Sequence, residues 1–153
     1  MPYAGSQAQT GAGTIFEIGT ISSPSTYTVI DEAAEITPAG NSNAFDEVTN
    51  LQSGAKEFIA TLSDPGTFSF SMNRVPGNTG PGQAALITSF NNLTTLPYRV
   101  TFKKGVSQTT TGDKITFLAS VESLPYGAIS PAKAVKLNCT LKVSGPFTFT
   151  PGS

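Results

Sequence analysis

Residues 135–144 read VKLNCTLKVS, with Val135, Leu137, Cys139, Leu141 and Val143 apolar and Lys136, Asn138, Thr140, Lys142 and Ser144 polar. Side chains alternate across an extended chain, so this run forms a strand with one buried and one wet face. The same alternation returns in Phe68, Phe70 and Met72 against Thr67, Ser69 and Ser71. It returns again in Tyr98, Val100 and Phe102 against Arg99, Thr101 and Lys103, and in Ile115, Phe117, Ala119 and Val121 against Lys114, Thr116 and Ser120. Weaker strands are expected over Thr14–Ile21, Tyr27–Ile30 and Ala34–Thr37.

Two connections read as hairpins. Lys56–Leu62 is expected to meet Thr67–Asn73 through Ser63-Asp64-Pro65-Gly66, where proline presets one backbone angle and glycine supplies a left-handed one. The strand ending near Lys103 meets the one from Lys114 through GVSQTTTGD. A single helix is expected in GPGQAALITSFNNL, where Leu86, Phe90 and Leu93 fall at i, i+4 and i+7 beside Ile87. Pro81 suits a first-turn position and Pro97 ends any continuation. The fold class is therefore mostly β: a β-sandwich or open barrel of about seven or more antiparallel strands, with one α-helix packed on its side. Its core is expected to contain Phe58, Phe68, Phe70, Leu86, Phe90, Val100, Phe102, Phe117, Leu137, Cys139 and Leu141.

The segment PAGNSNAFDEVTNLQSGA, residues 38–55, interrupts this regularity with eighteen residues of loop-like composition. Loops beyond about 12–15 residues in a compact domain are usually functional or disordered. The first twelve residues, rich in Gly, Ala, Ser and Gln, have too little apolar content to fold alone. They are expected to form a flexible arm, with one β domain over residues 13–153.

Composition narrows the chemistry. The chain of 153 residues has no histidine, so Ser-His-Asp and Cys-His machinery cannot be built, and ordinary zinc sites lose their commonest ligands. Two Ser-x-x-Lys patterns, Ser53–Lys56 and Ser130–Lys133, occur no more often than chance allows, and neither opens a helix. The neighbouring carboxylates Asp31-Glu32 and Asp46-Glu47 point to opposite sides of an extended chain and make no facing acid pair. No EF-hand or phosphate loop is present. Cys139 is the only cysteine and reads as a buried, inert thiol. The start carries no cationic, apolar leader, and no stretch is long and apolar enough for a membrane helix, so a soluble protein is expected. No enzyme activity, cofactor or metal is expected.

Charge is sparse, at 12% of residues, and segregated. Residues 1–64 hold eight acids against Lys56, whereas residues 65–153 hold eight cations against Asp113 and Glu122. The halves neutralise one another within a subunit, or an acidic surface of one copy meets a basic surface of the next. With 16 Ser and 21 Thr, neutral hydroxyls cover much of the exterior, and little self-repulsion opposes association. Nucleic-acid binding through the basic half lacks outward aromatics for stacking.

The order of these features resembles the major tail tube proteins of long-tailed (siphophage, lambda-type) bacteriophages. The resemblance rests on Gly11-Ala12-Gly13-Thr14 entering the first strand, the acidic Phe45-Asp46-Glu47 loop, AKEFIATLSDPGTFSFSMN, the helix of GQAALITSF, and PYRVTFKKG. It covers the chain from about Gly11 onward. It implies a structural subunit that forms hexameric rings, stacked into a tube through which DNA passes without specific binding. The implied partners are further copies of the chain, a tape-measure protein, and tail-tip and terminator proteins, with no membrane. The implied location is the virion tail, after synthesis in the host bacterial cytoplasm. It further implies that the long loop reaches the adjacent ring through Asn43, Phe45, Asp46, Glu47, Val48 and Leu51, and that Tyr3, Gln7 and Thr10 of the arm contact a neighbour. Composition alone leaves a second reading open, a non-enzymatic sandwich that binds a ligand or decorates a capsid.

Overall fold

The computed structural model describes residues 8–77 and 80–153. Among the described residues, nine strands and one helix follow one another as β1 (Ile15–Gly19), β2 (Tyr27–Val29), β3 (Ala33–Ala39), β4 (Ser42–Glu47), β5 (Phe58–Asp64), β6 (Thr67–Asn73), α1 (Pro81–Asn92), β7 (Thr95–Thr101), β8 (Lys114–Ser123) and β9 (Lys136–Thr150). Seven strands make one antiparallel sheet in the order β2-β1-β7-β8-β9-β6-β3; β4 and β5 pair only with each other. Among the described residues, no helix is long and apolar enough to cross a membrane.

The large sheet curls until β1 and β6 face each other across its interior. Strands β7, β8 and β9 separate β1 from β6 within the sheet, yet the ring of Phe16 on β1 stacks 5.4 Å from Phe68 and meets Phe70 edge-on at 4.8 Å, both on β6. Strand β9 makes the turn possible: its register against β8 jumps between Thr116↔Thr148 and Leu118↔Ser144, around Gly145 at φ +82°. Such bulges bend a strand and increase its twist. The result is an open barrel filled by Phe16, Phe68, Phe70, Tyr98 and Phe117, with Phe147 packed against them. Leu86, Val100, Leu137, Cys139 and Leu141 are also buried, each at an inward alternate position or on the helix. On the outside, Arg99 donates from Nε to Glu17 Oε2 at 2.6 Å and lies 4.0 Å over the Tyr27 ring, tying β7, β1 and β2 together.

Three residues assigned to the core from sequence lie outside it: Phe58 is 55% exposed, Phe102 40% and Phe90 36%. Phe58 belongs to the separate β4–β5 pair, and Phe102 follows the last residue of β7 at the barrel mouth. Phe90 is displaced because the helix presents a different face. Gly82, Gln83, Leu86 and Ser89 are buried, whereas Leu93 is exposed. The helix sits so close to the sheet that a Cβ on Gly82 would lie 2.0 Å from the Val29 carbonyl oxygen. Only small or fully bonded side chains fit there. Gln83 is one: Nε2 donates to the carbonyls of Asp31 at 2.9 Å and Asn73 at 2.7 Å, and Oε1 accepts from the Val75 N–H at 3.1 Å. A buried amide satisfied on both sides costs little and fixes the helix against two loops.

The expected Pro65-Gly66 hairpin is a corner instead. The turn forms, with Asp64 Oδ1 accepting the Gly66 N–H at 2.8 Å, but both edges of β6 are taken by β3 and β9. Strand β5 has no free edge of β6 to join and pairs with β4. The β7–β8 connection is the antiparallel pair expected, with Thr95↔Ser120 through Thr101↔Lys114.

Candidate assembly surface

The segment that reads as one long loop is mostly strand. β3 runs on to Ala39, and Ser42–Glu47 forms β4, whose register against β5 includes Asn43↔Ser63, Phe45↔Ala60, Asp46↔Ile59 and Glu47↔Phe58. Every residue of β4 and β5 is exposed, so the pair is a ribbon standing clear of the barrel.

Two glycines form its root. Gly40 and Gly66 both have left-handed backbones, at φ +86° and +74°. A Cβ on Gly66 would lie 2.2 Å from the Ala39 carbonyl oxygen and 2.7 Å from Gly40 backbone atoms. No other residue tolerates both the angle and the approach, so both strands leave the barrel together at this point. At the far end the chain is well bonded: Val48 N–H donates to the Glu57 carbonyl at 2.9 Å, Glu57 N–H to Thr49 Oγ1 at 3.0 Å, and Gln52 N–H to Asn50 Oδ1 at 2.8 Å. Lys56 Nζ lies 3.4 Å from Glu47 Oε2, an exposed pair that adds little stability.

Directly opposed residues share a face, so Phe45, Glu47, Phe58 and Ala60 project to one side and Asp46 and Ile59 to the other, up to a register shift that falls at Thr61 and Leu62. Phe45 is 64% exposed and Leu62 88%. Full burial of a large apolar side chain stabilises by about 1.5–3 kcal/mol, and here Phe45, Phe58 and Leu62 are left largely in water. An isolated two-stranded hairpin is at best marginally stable. A ribbon with a prepared shape, an unburied apolar face and acids at Asp46, Glu47, Glu57 and Asp64 is suited to bury that face against another chain.

The sequence-derived contact residues Asn43, Phe45, Asp46, Glu47, Val48 and Leu51 all lie on this ribbon or its tip, and all are exposed. Phe58, Ile59 and Leu62 lie on the same ribbon and are exposed as well. The signal is that Phe58 and Ile59 are both apolar although adjacent, whereas the outward positions of β6 to β9 are mostly Ser, Thr or Lys. Of the arm residues, Tyr3 and Gln7 lie outside the described residues. Thr10 is exposed, and Gln9 rests against the loop at Lys103–Gly105. Among the described residues no three His, Cys, Asp or Glu side chains gather to hold a metal ion. Burial pushes the Cys139 thiol up to about 12, which keeps it protonated and unreactive.

No family model and no curated protein matches the chain. Solved structures do. The SPP1 tail tube aligns over 94% of this chain and 79% of its own, at 14% identity and a TM-score of 0.64. The tail of an empty GTA particle, which has C6 symmetry, aligns over 94% and 99% at 16% identity and 0.66. The sheath/tube terminator of a PVC extracellular contractile injection system aligns over 96% and 99% at 12% identity and 0.71. At these identities the shared property is the fold, which this chain has in common with tail tubes over almost its whole length.

Proposed function

We propose that the chain is the structural subunit of a phage tail tube, a virion component that assembles with copies of itself into stacked hexameric rings around a channel for DNA. The observation that carries this reading is the β4–β5 ribbon, rooted on paired glycines and exposed on every residue. The tail-tube fold supports it, and the six-fold GTA tail supports the ring number. The ribbon reaches an adjacent ring, where Phe45, Phe58 and Leu62 become buried. Obligate contacts of this kind bury upward of about 2,000 Å².

The work of such a subunit is geometric and involves no chemical turnover. Its further partners are a tape-measure protein and the tail-tip and terminator proteins, and DNA crosses the lumen without specific contacts. Deletion of residues 1–12 is expected to weaken assembly and leave the barrel folded.

Negative-stain electron microscopy of the purified chain over a concentration series tests the reading. Six-fold rings or hollow tubes that lengthen with concentration are the expected result. Monomers at every concentration, including after addition of a tail-tip complex, would overturn it.

A further inference from the structure

Strand β6 joins two surface regions at its opposite ends. Its first residue, Thr67, follows the ribbon root; its last, Asn73, pairs with Lys136 at the start of β9. Seven residues of strand separate these ends by about 20 Å. At the second end lies the β8–β9 connection, residues 124–135. It has a fixed shape: Gly127 N–H donates to the Lys136 carbonyl at 2.8 Å, Asn138 N–H to Pro125 at 2.9 Å, and Arg74 N–H to Val135 at 2.8 Å.

This connection is the chemical counterpart of the ribbon. Tyr126, Ile129 and Val135 are exposed apolar side chains, and Lys133 and Lys136 stand exposed beside them. No acidic residue occurs after Glu122. The ribbon offers Phe45 and Phe58 with Glu47 on one face and Asp46 on the other, with Leu62 and Glu57 also exposed. Two acids near the connection are bonded within the subunit, Asp31 Oδ2 accepting from the Gly82 N–H at 3.4 Å and Glu32 Oε2 from Asn73 Nδ2 at 3.3 Å, whereas Glu122, two residues before it, is exposed.

We infer that residues 124–136 are the surface on a second copy of this chain that receives the ribbon. The inference rests on the tube reading and specifies its axial contact. The main alternative receptor, the barrel mouth of about 900 Å³, is lined in part by Pro38, Gly40 and Pro65 at the ribbon's own root, and Glu35 there would set a like charge against the ribbon's acids. Two different patches at opposite ends of one strand make a heterologous, head-to-tail contact, which propagates as an open filament unless rotation closes it. The segregation of charge along the sequence then has a use: the acidic half carries the donor and the basic half the acceptor.

Cysteine pairing tests the contact, because native Cys139 is only 1% exposed and contributes no background. Chains carrying Phe45→Cys are mixed with chains carrying Ile129→Cys under mild oxidation, with Ile129→Cys replaced by Ile21→Cys, exposed in the β1–β2 connection, as the control. A disulfide-linked dimer in the first mixture, at least tenfold above the control, is expected. A second measurement uses charge. The double change Asp46→Lys, Glu47→Lys should reduce assembly at least tenfold, and mixing it with Lys133→Glu, Lys136→Glu chains should restore association. Tubes that form without the crosslink and without rescue would overturn this receptor and leave the tube reading standing. Absence of any association by the unmodified chain would overturn both.

Discussion

Strands β5 and β6 are neighbours in sequence, equal in length and similarly apolar, and they have opposite environments. In β6, Phe68, Phe70 and Met72 are buried and Ser or Thr faces outward; in β5, Phe58, Ile59 and Leu62 are all exposed. The difference arises from pairing rather than hydrophobicity. β6 lies between β3 and β9, so its inward row is pressed into a barrel, whereas β5 has only β4, and a two-stranded ribbon has no interior. Apolar side chains on β6 therefore stabilise the subunit, and those on β5 are available to stabilise contacts between subunits.

The distinction can be broken most severely from the β6 side. Phe68→Ala removes a ring that touches Phe16 and Phe117, and should cost about 3–5 kcal/mol in chemical denaturation. A loss below about 1 kcal/mol would mean that the barrel interior is not the source of stability. Next comes Gln83→Leu, which leaves the carbonyls of Asp31 and Asn73 and the N–H of Val75 without their partner. A loss of about 2–3 kcal/mol is expected, since each buried unsatisfied group costs about 1–3 kcal/mol. At the boundary between the two regions, Gly66→Ala meets the Ala39 carbonyl and a left-handed backbone. It should cost at least about 1–2 kcal/mol and impair assembly as well, so a change in only one of these would separate the root from the ribbon. Least of all for the monomer, Leu62→Ala should alter stability by no more than about 0.5 kcal/mol while weakening assembly. Equal effects of Leu62→Ala and Phe68→Ala on the isolated subunit would erase the comparison.

Cys139 sharpens the same contrast chemically. Its thiol keeps its proton up to about 12 in the folded chain, whereas an unfolded cysteine loses it near pH 8.5. Folding stability from this group is complete below about pH 8.5 and falls as pH rises toward about 12. At neutral pH a thiol reagent should leave the folded chain unlabelled and label it on denaturation, whereas a cysteine placed at Phe45 should react at once in the monomer.

The strands of the barrel were legible because alternation is a local property. Val135–Ser144, Thr67–Asn73 and Lys114–Val121 each state their own inward face, and the curled seven-stranded sheet satisfies all of them. Partner choice is not local, and the Lys56–Leu62 pattern does not reveal that both edges of β6 are occupied. Likewise Pro38, Gly40 and the run of Asn and Ser around residue 42 look like loop, because β4 gains its hydrogen bonds only from β5. Phe58 reads as core because a large apolar side chain in a strand pattern looks the same in sequence whether it is buried or exposed. The helix lies where apolar spacing puts it but is rotated about its axis: Leu86 faces inward as expected, while the close approach at Gly82 and the bonding of Gln83 bring Ser89 inward in place of Phe90 and Leu93.

Sedimentation velocity of the unmodified chain beside a Phe45→Ser, Phe58→Ser, Leu62→Ser variant, with circular dichroism to verify folding, is the most direct test of the ribbon as the assembly element. Concentration-dependent large species from the unmodified chain, and folded monomers from the variant at every concentration, are the predicted result. A folded variant that assembles as readily as the unmodified chain would contradict it.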